Sequence, residues 1–278
     1  MLDVKQRDAA LIAEAKNPLL TGLRLERARA SARFGEDGRF NNRSGLGPSL
    51  QGPPWPVMTD FFFGGGQRRP SKVLPVESPL TAWAKAASTK LRMTWLGHST
   101  VLIDIDGVRV LTDPVFGERV SPVPFAGPKR FHQTPVTLSQ LPPIDAVLLS
   151  HDHFDHLCAT SMKQIAKLGV PVITSLGVGA RLEAMGVDPK RIVELDWWED
   201  YTLPGGALRF TATPAQHFSG RSLTDRNHTL WSSWVMTSAS HRVFFSGDTG
   251  LTEEFREIGR LYGPFDVVML EIGAWHPS

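Results

Sequence analysis

Ser150-His151-Asp152-His153-Phe154-Asp155-His156-Leu157 sets three imidazoles and the Asp155 carboxylate within six residues, directly after the apolar run Ala146-Val147-Leu148-Leu149. Protonated, the three rings would repel one another. As neutral imidazoles they are the commonest ligands for zinc and similar ions. The segment therefore reads as a metal site at the end of a buried strand, against the alternative of a solvated histidine-rich turn.

Two more groups stand in the same relation to an apolar run. His217 follows Thr211-Ala212-Thr213-Pro214-Ala215-Gln216, and Asp248 follows Phe244-Phe245-Ser246-Gly247 and precedes Thr249-Gly250. A carboxylate between two glycines reaches easily into a shared site, because glycine lets the backbone approach closely. Alone, His217 or Asp248 would more often be structural; beside the first motif they become ligands by preference. Six groups, His151, His153, Asp155, His156, His217 and Asp248, suffice for two metals that share a carboxylate. Two ions about 3.5–4 Å apart can hold a hydroxide between them and polarise a phosphoryl or carbonyl oxygen.

The elements that have to position these groups are legible as alternating or β-branched runs. Met93-Thr94-Trp95-Leu96, Thr100 to Ile105 and Val108 to Thr112 read as strands, with Asp106-Gly107 as the hairpin turn between the last two. Residues 161–169 and 178–186 read as helices around the short buried strand Val170 to Thr174, and Arg209 to Thr213 and Arg242 to Phe245 as further strands. Strands interleaved with helices give an α/β fold class, without solenoid repeats. Ahead of this core, residues 3–33 suit a helix or two broken at Asn17-Pro18, and Phe34 to Pro79 turns to Gly, Pro and Arg, an extended arm with Gly64-Gly65-Gly66 as a flexible turn. The division drawn is 1–90 for the N-terminal helix and arm and 91–278 for the α/β domain that carries the six groups.

Composition narrows the class. At 278 residues, 41% hydrophobic and 21% charged, the chain can bury a full core. A net charge of +2 is too mild to imply nucleic acid. Arg24, Arg27, Arg29 and Arg33 make the first helix basic, which suits a solvated face or an anionic membrane surface. The single cysteine, Cys158, excludes an intrachain disulfide and suits a reducing compartment. The start lacks a signal-peptide pattern and no apolar run approaches the ~18 residues of a membrane span, so a soluble cytoplasmic protein, peripheral to the membrane at most, is expected.

Several residues carry two readings each. His98, after Gly97, either orients a metal ligand as an outer partner or is a hydrogen-bonded core histidine. Lys129-Arg130 either grips a phosphate head group or is solvated. Trp197-Trp198 suits packing better than a substrate platform. Cys158 lies near the motif, yet zinc sites with thiolates usually recruit more than one. Ser150 and Ser246 lack a nucleophile-elbow setting, and His132, His228 and His241 lack ligand spacing.

The set His151-x-His153-x-Asp155-His156, His217 and Asp248 resembles the metallo-β-lactamase superfamily. Thr94-Trp95-Leu96-Gly97-His98-Ser99-Thr100, Leu111-Thr112-Asp113-Pro114, Gly127-Pro128-Lys129-Arg130-Phe131, Glu194-Leu195-Asp196-Trp197-Trp198-Glu199 and Gly247-Asp248-Thr249-Gly250 resemble, more narrowly, its N-acylphosphatidylethanolamine-hydrolysing phospholipase D family. The resemblance implies an αβ/βα four-layer sandwich. It implies two zinc ions: His151, His153 and His217 on the first, Asp155 and His156 on the second, and Asp248 between them. It implies attack of the bridging hydroxide on the phosphorus of a phospholipid, with a homodimer left open. The same chemistry on a lactone, thioester or amide, or an inactive metal-binding remnant, are the alternatives. The family's second zinc also takes a histidine beyond the Gly-Asp-Thr-Gly loop, where this sequence offers only His276, so a domain incomplete at its C-terminus with a weakly held second metal is expected.

Overall fold

The computed structural model describes residues 16–47, 53–63, 70–87, 89–123 and 125–272. Strands β1 (Leu91–Gly97), β2 (Thr100–Ile105) and β3 (Val108–Thr112) form an antiparallel meander. Asp106 and Gly107, which join β2 to β3, both have positive φ (47° and 88°), the backbone that a two-residue turn between right-twisted strands requires. β4 (Ala146–Leu148), β5 (Val172–Ser175) and β6 (Ile192–Leu195) then add in parallel, giving a six-stranded sheet in the order β1-β2-β3-β4-β5-β6. A second sheet has the order β11-β10-β9-β8-β7. Its strands are β7 (Asp200–Thr202), β8 (Arg209–Thr213), β9 (Ser233–Thr237), β10 (Arg242–Phe245) and β11 (Val267–Met269), of which only the β10/β11 pair is parallel. The helices are α1 (Gly22–Ala30), α2 (Pro54–Phe63), α3 (Leu80–Trp83), α4 (Ala159–Ile165), α5 (Val178–Ala184) and α6 (Glu254–Tyr262).

Alternate side chains of each strand point to opposite faces, and that alternation makes four layers. Ile103, Val110 and Leu148 of the first sheet meet Phe210, Trp234 and Phe245 of the second in the central core. Their neighbours Leu102, Leu111 and Val147 turn outward onto Met162, Ile165 and Leu182 of α4 and α5. Beyond the second sheet, Val235 and Phe244 pack on Phe255 and Ile258 of α6. The result is helix on sheet on sheet on helix, the αβ/βα sandwich implied by the resemblance.

The N-terminal stretch is a wall of this body. Leu20, Leu25, Ala28 and Phe40 are buried against Leu176, Trp197, Leu230 and Trp231. Arg24 lies 2.8 Å from Glu183 and 2.7 Å from Glu194, and Arg27 pairs with Glu199, so two arginines of the basic helix face carboxylates of the domain. Within the stretch read as an extended arm, Pro54–Phe63 is helical, with proline at the first position, where its missing N–H is not needed. Gly64 to Gly66 and the helix expected before residue 16 lie outside the described residues.

Candidate metal centre

The loops after β4, β8 and β10 meet at one edge of the sandwich. Those after β8 and β10 are tied by Gly250 N–H to Gln216 O at 2.9 Å and Gln216 N–H to Thr249 Oγ1 at 2.9 Å. Gly247 has φ +54°, and a Cβ there would sit 2.5 Å from Ser150 Cβ, so only glycine lets the loop that carries Asp248 pass so close to the histidine motif.

The loops bring the donors into two groups. In the first, His153 Nδ1 lies 2.8 Å from His151 Nε2 and 3.2 Å from His217 Nε2, with Asp248 Oδ2 3.7 Å from His217 Nε2. The second contains His98, Asp155 and His156. There Asp155 Oδ2 is 3.1 Å from His98 Nε2 and 3.9 Å from His156 Nε2. Asp248 Oδ1 is 3.1 Å from His156 Nε2, so the two oxygens of one carboxylate face the two groups. The six residues read as ligands from sequence therefore converge, and His98 lies with the second group, its Nε2 on Asp155.

Hydrogen bonds fix which ring nitrogens face the centre. Asp113, buried at the end of β3, accepts from Ser150 N–H (2.8 Å), from Ser150 Oγ (2.6 Å) and from His156 Nδ1–H (2.7 Å). With its hydroxyl proton given to Asp113, Ser150 Oγ accepts from His151 Nδ1–H at 2.9 Å. Both Nε2 atoms are thereby presented to the centre, an arrangement in which an outer carboxylate sets the tautomer of a metal-binding histidine. Ser150 is thus an orienting group and not a nucleophile.

The charges follow from burial and neighbours. Burial holds the His151, His153 and His217 imidazoles below their ordinary value, His217 at about 3, so these rings are neutral at pH 7. Burial would do the same to His156, but the Asp113 and Asp248 carboxylates outweigh it and hold that ring well above the ordinary value. Burial raises Asp155, yet the hydrogen bond from His98 and the charge of His156 bring it well below the usual carboxylate range.

These residues fit a metal pair. His153 Nδ1, 2.8 Å from His151 Nε2 and 3.2 Å from His217 Nε2, cannot donate to both with its one proton, whereas such spacings approach the ~3.3 Å edges of a tetrahedron built on Zn–N bonds of about 2.0–2.1 Å. The buried His156 Nε2 has no hydrogen bond of proper geometry despite the nearby Asp248, and such an unpartnered ring nitrogen suits a metal ligand.

A further ring of residues steadies the motif, and sequence reasoning did not single it out. Asp152 is fully buried; it accepts from Gly220 N–H at 2.8 Å and from Arg181 Nε at 3.3 Å, and Arg181 also pairs with Asp225. Arg221 Nη1 donates to Asp152 O (2.7 Å) and Leu157 O (2.9 Å) while its guanidinium lies over the Phe154 ring. From the N-terminal wall, Asn42 Nδ2 donates to His217 O and to Leu46 O, each at 2.9 Å, and Asn42 Oδ1 accepts from Trp231 Nε1 at 3.1 Å.

Of the residues with two readings, Trp197 donates its Nε1–H to Trp231 O and is buried, which is packing. Cys158 is buried beside Thr160 and belongs to neither donor group. Lys129 pairs with Glu118 at 2.6 Å, and Arg130 Nη2 donates to Val115 O at 2.6 Å. His276 lies outside the described residues.

A family model described as "Beta-lactamase superfamily domain" matches residues 108–278. An uncharacterized protein of Mycobacterium tuberculosis is 46% identical over 211 residues, 76% of this chain and 55% of that protein. The N-acyl-phosphatidylethanolamine-hydrolyzing phospholipase D 1 of Caenorhabditis elegans is 40% identical over 212 residues, 73% of this chain and 59% of the enzyme. The chain thus spans little more than half the length of these relatives. Among solved structures, isothiocyanate hydrolase from Delia radicum gut bacteria shares the fold, with a TM-score of 0.50 at 22% identity over 65% of this chain and 71% of that one. Taken with two donor groups built on the ends of β4, β8 and β10, these matches show that the chain belongs to the metallo-β-lactamase superfamily of metal-dependent hydrolases and resembles its N-acylphosphatidylethanolamine-hydrolysing phospholipase D members.

Proposed function

We propose that the protein is a zinc phosphodiesterase of phospholipase D type acting on N-acyl phospholipids or related amphiphiles. The observation that carries this reading is the pair of donor groups joined by one carboxylate, Asp248. His151, His153 and His217 would hold one zinc, Asp155, His156 and His98 the other, and Asp248 both. When bound, the ions would supply a water nucleophile at neutral pH and charge to steady the phosphoryl oxygens.

The chain's own residues do the rest. Hydrolysis adds water across one P–O bond and leaves a phosphomonoester and an alcohol. Asp113 and Ser150 keep the His151 and His156 rings in the tautomers that face the centre. Asp155, held ionised by His98, would accept the proton of the attacking water. The phosphodiester choice, as against a carbonyl substrate, is supported by the phospholipase D names of two relatives, from Caenorhabditis elegans and from Saccharomyces cerevisiae, at 40% and 36% identity. Contact with a lipid surface belongs to the proposal, since Trp55 and Phe63 of α2 stand 69% and 87% exposed. None of the described helices is long and apolar enough to cross a membrane.

The test compares turnover of bis(p-nitrophenyl) phosphate, an N-acyl phosphatidylethanolamine in micelles, a cephalosporin and a homoserine lactone by the zinc-loaded protein. Preference for the two phosphodiesters, with activation at the micelle surface, is expected. Preference for the lactone or the cephalosporin would overturn the substrate class while leaving the metal centre intact.

A further inference from the structure

Beside the second donor group lies a cavity of about 380 Å³, a volume suited to a small ligand or to the head and first carbons of a larger one. His98 and Asp155 line one part of it, and Trp95, Val115, Val120 and Phe131 give it apolar walls. The Trp95 and Phe131 rings are 60% and 54% exposed, unusual for such large apolar side chains on a bare surface. Of the cavity's charged residues, Glu118, Lys129, Arg130 and Asp155, Arg130 is the one without an ion pair. Its Nη2 caps Val115 O, its Nε is buried without a hydrogen-bond partner, and no carboxylate among the described residues forms an ion pair with it. The neighbouring lysine differs: Lys129 is neutralised by Glu118.

A half-buried guanidinium with an idle N–H and no ion pair is costly unless a ligand completes it, and its planar fork suits phosphate oxygens. The turn that carries His98 is shaped around this group. Gly97 has φ +117°, and a Cβ there would lie 2.7 Å from Arg130 Nη1 and 2.8 Å from His132 Cε1. The metal-site turn and the wall that carries Arg130 are therefore one built unit.

We infer that this cavity is the amphiphile subsite of the centre, in which Arg130 holds an anionic oxygen of a phosphodiester while Trp95, Val120 and Phe131 take the first carbons of its alkyl arm. The inference rests on the phosphodiesterase reading for its biological use, but binding can be measured without catalysis. The full chain, stripped of metal with chelator, would be titrated by calorimetry with dodecylphosphocholine below its micelle concentration, with dodecyl maltoside and with inorganic phosphate. The expected order is dodecylphosphocholine well ahead of both others, since each of those offers only half of the match.

Arg130→Gln should weaken dodecylphosphocholine binding by about tenfold or more, the size of a lost charged hydrogen bond, and leave maltoside binding within about twofold. Arg130→Lys should fall between, because the charge is kept and the fork lost. Because Arg130 also caps Val115, melting is followed for each variant. Val120→Asp gives an independent arm, setting a like charge on the wall without touching that cap, and it should weaken phosphocholine binding by a similar factor. Equal binding of maltoside and phosphocholine by the wild type would overturn the subsite. So would unchanged phosphocholine binding in a folded Arg130→Gln protein, or in Val120→Asp. A zinc-loaded protein that binds dodecylphosphocholine through Arg130 yet hydrolyses no phosphodiester would instead refute the proposed reaction and leave the subsite standing.

Discussion

The two donor groups share one carboxylate and little else. The first is nitrogen-rich and more enclosed: His151 is 1% exposed, and burial, helped by the neighbouring imidazoles, keeps its rings neutral, ready for a cation. The second is mixed and open: the His98 and Asp155 side chains keep 46% and 38% of their surface, and the ring of His156 is charged by Asp113 and Asp248 until a metal displaces its proton. An enclosed neutral pocket holds its ion by geometry, whereas the open one has to trade a proton for its ion and so binds with stronger dependence on pH and on its outer partners.

The sharpest way to break this contrast is His151→Ala. It should remove the first metal and cut phosphodiester turnover at least about a hundredfold, beyond the ~10–100-fold typical of losing an outer partner. Elemental analysis beside the assay decides it, and full metal content at full rate would refute the site. Next comes Asp113→Asn. Weakening the partner that orients His156 directly, and His151 only through Ser150, should lower second-metal affinity by about 10–100-fold and first-metal affinity less, as read by competition with a chelating dye. His98→Ala should have a smaller effect, about tenfold on the second metal alone, because an exposed ring loses less on removal than a buried one. A cobalt-substituted protein would show it as loss of one visible absorption component with the other unchanged.

The smallest effect concerns the metal-free fold. His217 titrates near 3 when folded and near 6.5 when unfolded, so the folded state binds its proton less readily. Its contribution to stability is fully present above about pH 6.5 and is lost progressively as the pH falls towards 3, at up to about 1.4 kcal/mol per pH unit. His156 acts in the opposite sense: its raised value gives stability below about pH 6.5 that is lost as the pH rises through its folded pKa. Urea midpoints of the metal-free protein between pH 7 and pH 4 should therefore fall for the wild type and fall less for His217→Gln.

The first donor group was legible because each member follows an apolar strand in the sequence, and a polar residue just past such a strand stands at a sheet edge. The strands β2, β3, β8 and β10 were legible for the same reason. Strands β6, β7 and β11 are only three or four residues long and carry little alternation, and α6 hides its apolar face, Phe255, Ile258 and Tyr262, among charges. Asp113 looks like an ordinary turn residue before Pro114. Its role arises only because β3 pairs in parallel with β4, which sets Asp113 next to Ser150. His98 was ambiguous since nothing local places the β1–β2 turn beside residues 155 and 156. Asp152 and Arg221 act through partners tens of residues away, a distance at which a single sequence carries no spacing signal.

The bond from Asn42 to the His217 loop has a consequence for the order of assembly during synthesis. Asn42 leaves the ribosome 175 residues ahead of His217. At about 5–20 residues per second that is an interval on the order of ten to thirty seconds. For the first 155 residues of it, from position 42 to position 197, Leu20, Leu25 and Phe40 have no Trp197 to cover them, and Trp231 is made only after His217, so this apolar surface waits long for its place. The segment around Asn42 thus stays uncovered while the residues up to Trp197 are made, and the loop that presents His217 is tied down only when that waiting segment docks.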